Sequence, residues 1–281
     1  MKRTLLSLSI FLLLCVVPVF AEQILRDLPY YDATFQGSGD LAYRDQRCKL
    51  DIYLPDMAEG EKLPVVVWFH GGGLSGGNKH FPAELKKQRF LIVAVSYRLS
   101  PKANCPDYIQ DAAAAVAWTM KNIEKYGGDA KKVCVSGHSA GGYLTAMVAM
   151  DSQYLELFGC KNTEIAAAFP ISGQMATHFQ IMNERRGKNM VPYNPIVVDA
   201  YAPLALTARE LPPMYLYVGD PKIEWKARVE ENALLAAMIQ MQKEHKTIEF
   251  HSFPDTDHGT VLRPAVEHLR EIVNGMATVK K

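Results

Sequence analysis

Val133-Cys134-Val135-Ser136-Gly137-His138-Ser139-Ala140-Gly141-Gly142-Tyr143 is the stretch on which the reading of this chain turns. The apolar run Val133-Cys134-Val135 reads as a core strand. Gly137-His138-Ser139-Ala140-Gly141 follows at once and matches G-x-S-x-G, and Tyr143 to Met150 beyond it reads as a helix. A serine on a sharp strand-to-helix turn needs small neighbours, because its backbone is strained and its side chain must project over the sheet. The helix that follows aims its unpaired amides and its positive end at any anion formed beside the serine. The five-residue pattern alone occurs often by chance; between a buried strand and a helix it is specific. Ser139 is the candidate nucleophile.

Further runs have the same character. Val65-Val66-Val67-Trp68-Phe69, Phe90 to Val95, Ala166-Ala167-Ala168-Phe169 and Met214-Tyr215-Leu216-Tyr217-Val218 are continuous and apolar, as strands buried on both faces are. Lys49 to Leu54 alternates like a half-exposed strand, and Thr247 to Phe253 is the last strand candidate. Helix-like stretches lie between them: Ala83 to Gln88, Asp111 to Tyr126 closed by Gly127-Gly128, and Val229 to Gln242. Strands alternating with helices predict an α/β fold, a mostly parallel sheet with helices on both faces. Glu22 to Gln46 reads as a lead-in segment. No linker divides residues 22–281, so one domain is expected. Gln174 to Glu210 breaks the rhythm with Met, aromatics, Pro and Arg185-Arg186, and is expected to be a lid or substrate-loop insertion.

The chemistry gathers around the serine. His70-Gly71-Gly72-Gly73 follows the Val65–Phe69 run, and consecutive glycines let backbone amides turn toward a substrate oxygen. Gly72, Gly73 and the amide of Ala140 are the expected oxyanion hole. A phosphate loop would want Lys and then Ser or Thr after the glycines, and Leu74-Ser75-Gly76-Gly77 lacks that order. His70 reads as a structural hydrogen-bonder of this loop. The base should be a late histidine on a loop, since the order here is Ser, acid, His. His258, in Asp255-Thr256-Asp257-His258-Gly259, fits best; His178, His245, His251 and His268 have weaker contexts. The acid should follow the Met214–Val218 run, where Asp220 and Glu224 both sit. Strand anchoring favours Asp220; the shorter spacing to His258 favours Glu224. Asp220 is preferred by a small margin, with Glu224 as the alternative.

Taken together, His70-Gly71-Gly72-Gly73, Ser96-Tyr97-Arg98-Leu99-Ser100-Pro101, Gly137 to Gly142 and Asp257-His258-Gly259 resemble the hormone-sensitive-lipase-like and feruloyl/acetyl-esterase branches of the α/β-hydrolases. The resemblance covers roughly Asp51 to the C-terminus. It implies an eight-stranded sheet in a three-layer α/β-hydrolase fold, cofactor-independent hydrolysis of carboxylic esters, and a structural role for Asp111. Many such proteins carry Gly-x-x-Asp at the acid; Gly219-Asp220-Pro221-Lys222 puts Lys222 there instead. The rivals are a peptidase or lipase on the same machinery and a non-catalytic binding protein of the same fold.

Composition narrows the partners. With 281 residues and a formal net charge of +1, the chain lacks the basic excess of a nucleic-acid binder. A small-molecule or polysaccharide-linked ester is the expected partner. Lys2 and Arg3 precede an apolar run from Leu5 to Phe20, with Val19-Phe20-Ala21 at its end, which is the layout of a secretory signal over residues 1–21. Export to the periplasm or medium, with no lasting membrane anchor, is expected. Cleavage would leave Cys48, Cys105, Cys134 and Cys160, with Cys134 a buried thiol. No Cys-x-x-Cys or Cys/His spacing predicts a metal, and no cofactor is expected.

Overall fold

Alternation along Val65 to Phe69 shows how the molecule is layered. Val65, Val67 and Phe69 belong to one apolar cluster, and Val66 and Trp68 to another on the opposite face of the sheet. A strand with both faces buried must be apolar throughout, which is why the sequence shows a continuous run here. The structure, a computed structural model, describes residues 23–186 apart from Ala33 and Gln36, and residues 196–207, 210–242 and 247–278. The expected signal segment, His245 and residues 187–195 of the expected insertion lie outside the described residues.

Eight strands form one sheet: β1 Gln23–Pro29, β2 Lys49–Leu54, β3 Leu63–Phe69, β4 Leu91–Val95, β5 Gly128–His138, β6 Ala167–Ile171, β7 Met214–Val218 and β8 Ile248–Ser252. Their order is β1-β2-β4-β3-β5-β6-β7-β8. β1 with β2 and β2 with β4 run antiparallel; every later pairing is parallel. The helices are α1 Leu41–Arg47, α2 Asp107–Asn122, α3 Ala140–Met150, α4 Ser152–Glu156, α5 Phe179–Arg186, α6 Lys226–Gln240 and α7 Leu262–Thr278. Apolar residues of α2, α3 and α6 pack on the face with Val65, and those of α7 on the face with Trp68. This is the expected three-layer α/β architecture. Among the described residues no helix is long and apolar enough to cross a membrane.

The lead-in segment carries β1 and most of α1, with Asp40 capping α1 through the Tyr43 amide. Ala83 to Gln88 supplies only a short 3-10 turn, Ala83–Leu85. Its three polar residues Lys86, Lys87 and Gln88 leave no apolar stripe to hold a helix against the sheet. Cys48, Cys105, Cys134 and Cys160 are all free thiols, and Cys134 is buried in β5.

A buried ion pair ties α2 to the segment after β4. Arg98 follows β4, and its Nε, Nη2 and backbone amide all donate to the Asp111 carboxylate of α2 at 2.8–3.1 Å. The Tyr31 hydroxyl donates to the same carboxylate at 2.7 Å. A fully buried carboxylate this well bonded ties α2 to the segments that follow β1 and β4.

Candidate active site

β5 ends at His138 and α3 begins at Ala140, so Ser139 alone makes the turn between them. Its backbone is left-handed, with φ 58° and ψ −117°, a conformation a non-glycine residue adopts only when its surroundings enforce it. Packing does that here. A Cβ on Gly141 would overlap the carbonyl of Phe69, and one on Gly137 would lie 2.6 Å from that same oxygen. The Ser139 amide donates to the Ile171 carbonyl at 2.9 Å. The two glycines of the pattern therefore let β3, β5 and α3 close tightly enough to push the serine outward.

His258 sits on the loop between β8 and α7, and its Nε2 lies 2.9 Å from Ser139 Oγ. His138 holds that loop from below, its Nε2 donating to the His258 carbonyl at 2.6 Å and its ring lying 4.7 Å from the His258 ring. Burial, with the neighbouring His258 ring, pushes the His138 imidazole down to about 4. It is neutral at ordinary pH and has one N–H to give.

The structure separates the two acid candidates. Glu224 Oε1 is 3.4 Å from His258 Nδ1, on the ring edge away from the serine. Its other oxygen accepts from Ser172 Oγ at 2.6 Å. Burial alone would raise this carboxyl. Hydrogen bonds from His258 and Ser172 and the charge of Arg228 outweigh it, lowering the group to about 2. Asp220 does not meet His258, which corrects the sequence preference. Its carboxylate is exposed and accepts from the amides of Lys222 at 2.8 Å and Asp255 at 3.0 Å, and its own amide donates to the Thr256 carbonyl at 2.7 Å. As the first polar side chain after β7, it pins one loop to the next. One turn further, with the Glu224 amide bonded to the Asp220 carbonyl at 2.8 Å, the chain directs Glu224 inward.

Arg228, one turn into α6, was not singled out by sequence. Its Nη1 lies 3.0 Å from Glu224 Oε1 and 2.9 Å from His258 Nδ1. A guanidinium only donates, so it and a ring proton compete for the Nδ1 position. Where Arg228 donates to Nδ1, the ring proton sits on Nε2; where Nδ1 carries the proton, it faces the Glu224 carboxylate and Nε2 accepts from Ser139 Oγ. The one sequence signal was the i, i+4 spacing of Glu224 and Arg228.

The glycine loop closes the other side. Gly72, at φ +112°, accepts from the amides of Ser75 and Gly76 at 3.1 and 2.9 Å; a Cβ there would overlap the Gly76 carbonyl. Gly71 lies against the nucleophile, where a Cβ would be 3.4 Å from Ser139 Cβ. His70 is buried, stacks on Tyr97 with centroids 4.3 Å apart and donates from Nδ1 to the Gly71 carbonyl at 2.6 Å. Burial depresses it to about 4, and its bonds are those of a loop support. Ala140 is the first residue of α3, where an amide has no partner within the helix. Of the expected insertion, Phe179 at the start of α5 reaches this loop: a Cβ on Gly73 would be 3.1 Å from its ring. Glu231 of α6 steadies the chain before α5, accepting from the Met175 and Ala176 amides at 2.9 and 3.0 Å.

The chain is similar in sequence and in fold to known proteins. Esterase LipQ of Mycobacterium tuberculosis is 27% identical over 241 residues, covering 77% of this chain and 55% of that protein. The probable carboxylic ester hydrolase LipM of the same organism is 30% identical over 211 residues, covering 66% of this chain and 48% of that one. The chain thus spans about half the length of these relatives. Among solved structures, a truncated carbohydrate esterase from gut microbiota superposes with a TM-score of 0.69 at 18% identity, covering 92% of this chain and 97% of that one. Esterase B from Lactobacillus Rhamnosis gives 0.68 at 18%, covering 91% and 87%. These likenesses place the fold among the α/β-hydrolases. Residues 50–250 match the BD-FAE family model, well over half of the chain, and the protein belongs to that family.

Proposed function

We propose that this protein hydrolyses carboxylic esters through an acyl-enzyme on Ser139. The observation that carries the reading is the contact of Ser139 Oγ with His258 Nε2 at 2.9 Å, with Glu224 facing the other ring nitrogen. Ser139 attacks the ester carbonyl as His258 Nε2 takes its proton, and Glu224 holds the imidazolium through Nδ1–H. For this step Arg228 releases Nδ1 and stays on Glu224. The carbonyl oxygen, now negative, is met by the amides of Gly72, Gly73 and Ala140. Each such donor is worth about 2.7–4 kcal/mol to a transition state of this kind. His258 then protonates the departing alcohol, and water repeats the sequence on the acyl group.

The printed activities of the relatives, esterase and carboxylic ester hydrolase, point the same way. The N-terminal layout supports export, so the substrate is an ester met outside the cytoplasm, free or attached to polysaccharide. The position of Phe179 beside the glycine loop supports a substrate-loop role for the stretch that begins at Gln174. A panel of p-nitrophenyl acetate, methyl ferulate, acetyl-xylan, a long-chain triglyceride and a peptide amide tests the reading. Ester turnover that disappears in Ser139→Ala supports it. Turnover of the peptide alone, or of no member of the panel, contradicts it.

A further inference from the structure

On the far edge of the sheet, β8 carries Glu249 and His251 two residues apart, so their side chains share one face of the strand. His268 comes up to that face from α7, its ring centroid 4.6 Å from that of His251. Each of the three offers one donor atom, and these atoms lie within 4.8 Å of one another. They form the one group of potential metal ligands among the described residues. Glu249 Oε2 and His251 Nε2 are 3.0 Å apart. Zinc bonds of about 2.0–2.2 Å hold tetrahedral ligand atoms roughly 3.4 Å apart. That pair is therefore already near its spacing, and His268 needs only a small side-chain adjustment to close on it.

The Tyr217 hydroxyl lies 2.9 Å from His268 Nδ1. Histidines that bind metals nearly always have the second ring nitrogen engaged in this way, which fixes tautomer and orientation. All three ligand side chains reach solvent at least in part, so an ion has an entry path. Two imidazoles and one carboxylate suit zinc or a similar first-row divalent ion, and do not suit calcium or magnesium, which want oxygen throughout.

We propose that Glu249, His251 and His268 form a zinc-class divalent metal site that staples β8 to α7. His251 precedes and His268 follows the loop bearing His258, so the ion closes that loop at its base and restricts its opening. This inference does not rest on the esterase reading, since binding is read out without turnover. The purified chain, stripped with a chelator, is titrated with zinc chloride by calorimetry, and its melting midpoint is followed in parallel. One ion is expected per chain, with a midpoint that rises with zinc concentration. Magnesium chloride should reproduce neither effect. His268→Ala and His251→Ala should lose the stoichiometric binding, and Glu249→Gln, an exposed change that leaves packing intact, should weaken it about tenfold or more. Absence of one-to-one binding in the unaltered chain overturns the proposal. So does zinc affinity in Glu249→Gln equal to that of the unaltered chain.

Discussion

Glu224 and Asp220 are four residues apart and have different tasks. Asp220 spends its carboxylate on two backbone amides at the surface, while Glu224 is buried beside His258, Ser172 and Arg228. Removing the charge of Glu224 while keeping its shape should leave the imidazole without its orienting partner. Glu224→Gln is expected to lower kcat for p-nitrophenyl acetate by roughly 10³–10⁴-fold, and Asp220→Asn by less than about tenfold. Steady-state kinetics of the two variants side by side decide the matter, and the reverse ranking would move the acid back to Asp220. The sequence left this open because strand anchoring and spacing disagreed. What resolves it is the direction the chain takes after Pro221, which no pattern of residue types encodes.

At the scale of elements, the nucleophile turn depends on how closely β3, β5 and α3 approach. Gly141→Ala would place a methyl on the Phe69 carbonyl, in backbone that cannot swing aside. A loss of about 3 kcal/mol or more is expected, measured by urea unfolding, together with loss of ester turnover. Wild-type stability in this variant would mean the turn is looser than described. In the core, Asp111→Asn keeps the hydrogen-bonding shape but leaves the buried Arg98 charge with Asp107, at 3.7 Å, as its remaining counter-ion, and should cost about 3 kcal/mol. The central strands and the serine turn were legible in the sequence because strands buried on two faces must be continuously apolar and the turn demands glycines. β1 and α1 were not. β1 is an edge strand with mixed burial and alternates no more clearly than a loop, and α1 is too short for a periodic signal. The Arg98–Asp111 pair was foreshadowed only by resemblance. Arg228, inside α6, carried no mark beyond its spacing from Glu224.

Across the whole molecule, the buried charge of Glu224 links folding to pH. Its carboxyl titrates at about 2 when folded and near 4.5 when unfolded. A lowered acid stabilises the fold above the unfolded value and loses that contribution as pH falls through the folded one. The contribution is complete above pH 4.5 and disappears toward pH 2. Unfolding free energy measured down this range should fall more steeply in the unaltered chain than in Glu224→Gln; parallel curves would mean the carboxylate is not held as the structure shows. Within the fold, the chemistry depends on one oxygen, Ser139 Oγ. Incubation with a fluorophosphonate, followed by digestion and mass spectrometry, asks where the covalent adduct lies. A single adduct is expected on the peptide containing Ser139, formed far more slowly in His258→Ala. An adduct on another residue, or none in a folded chain, would contradict it.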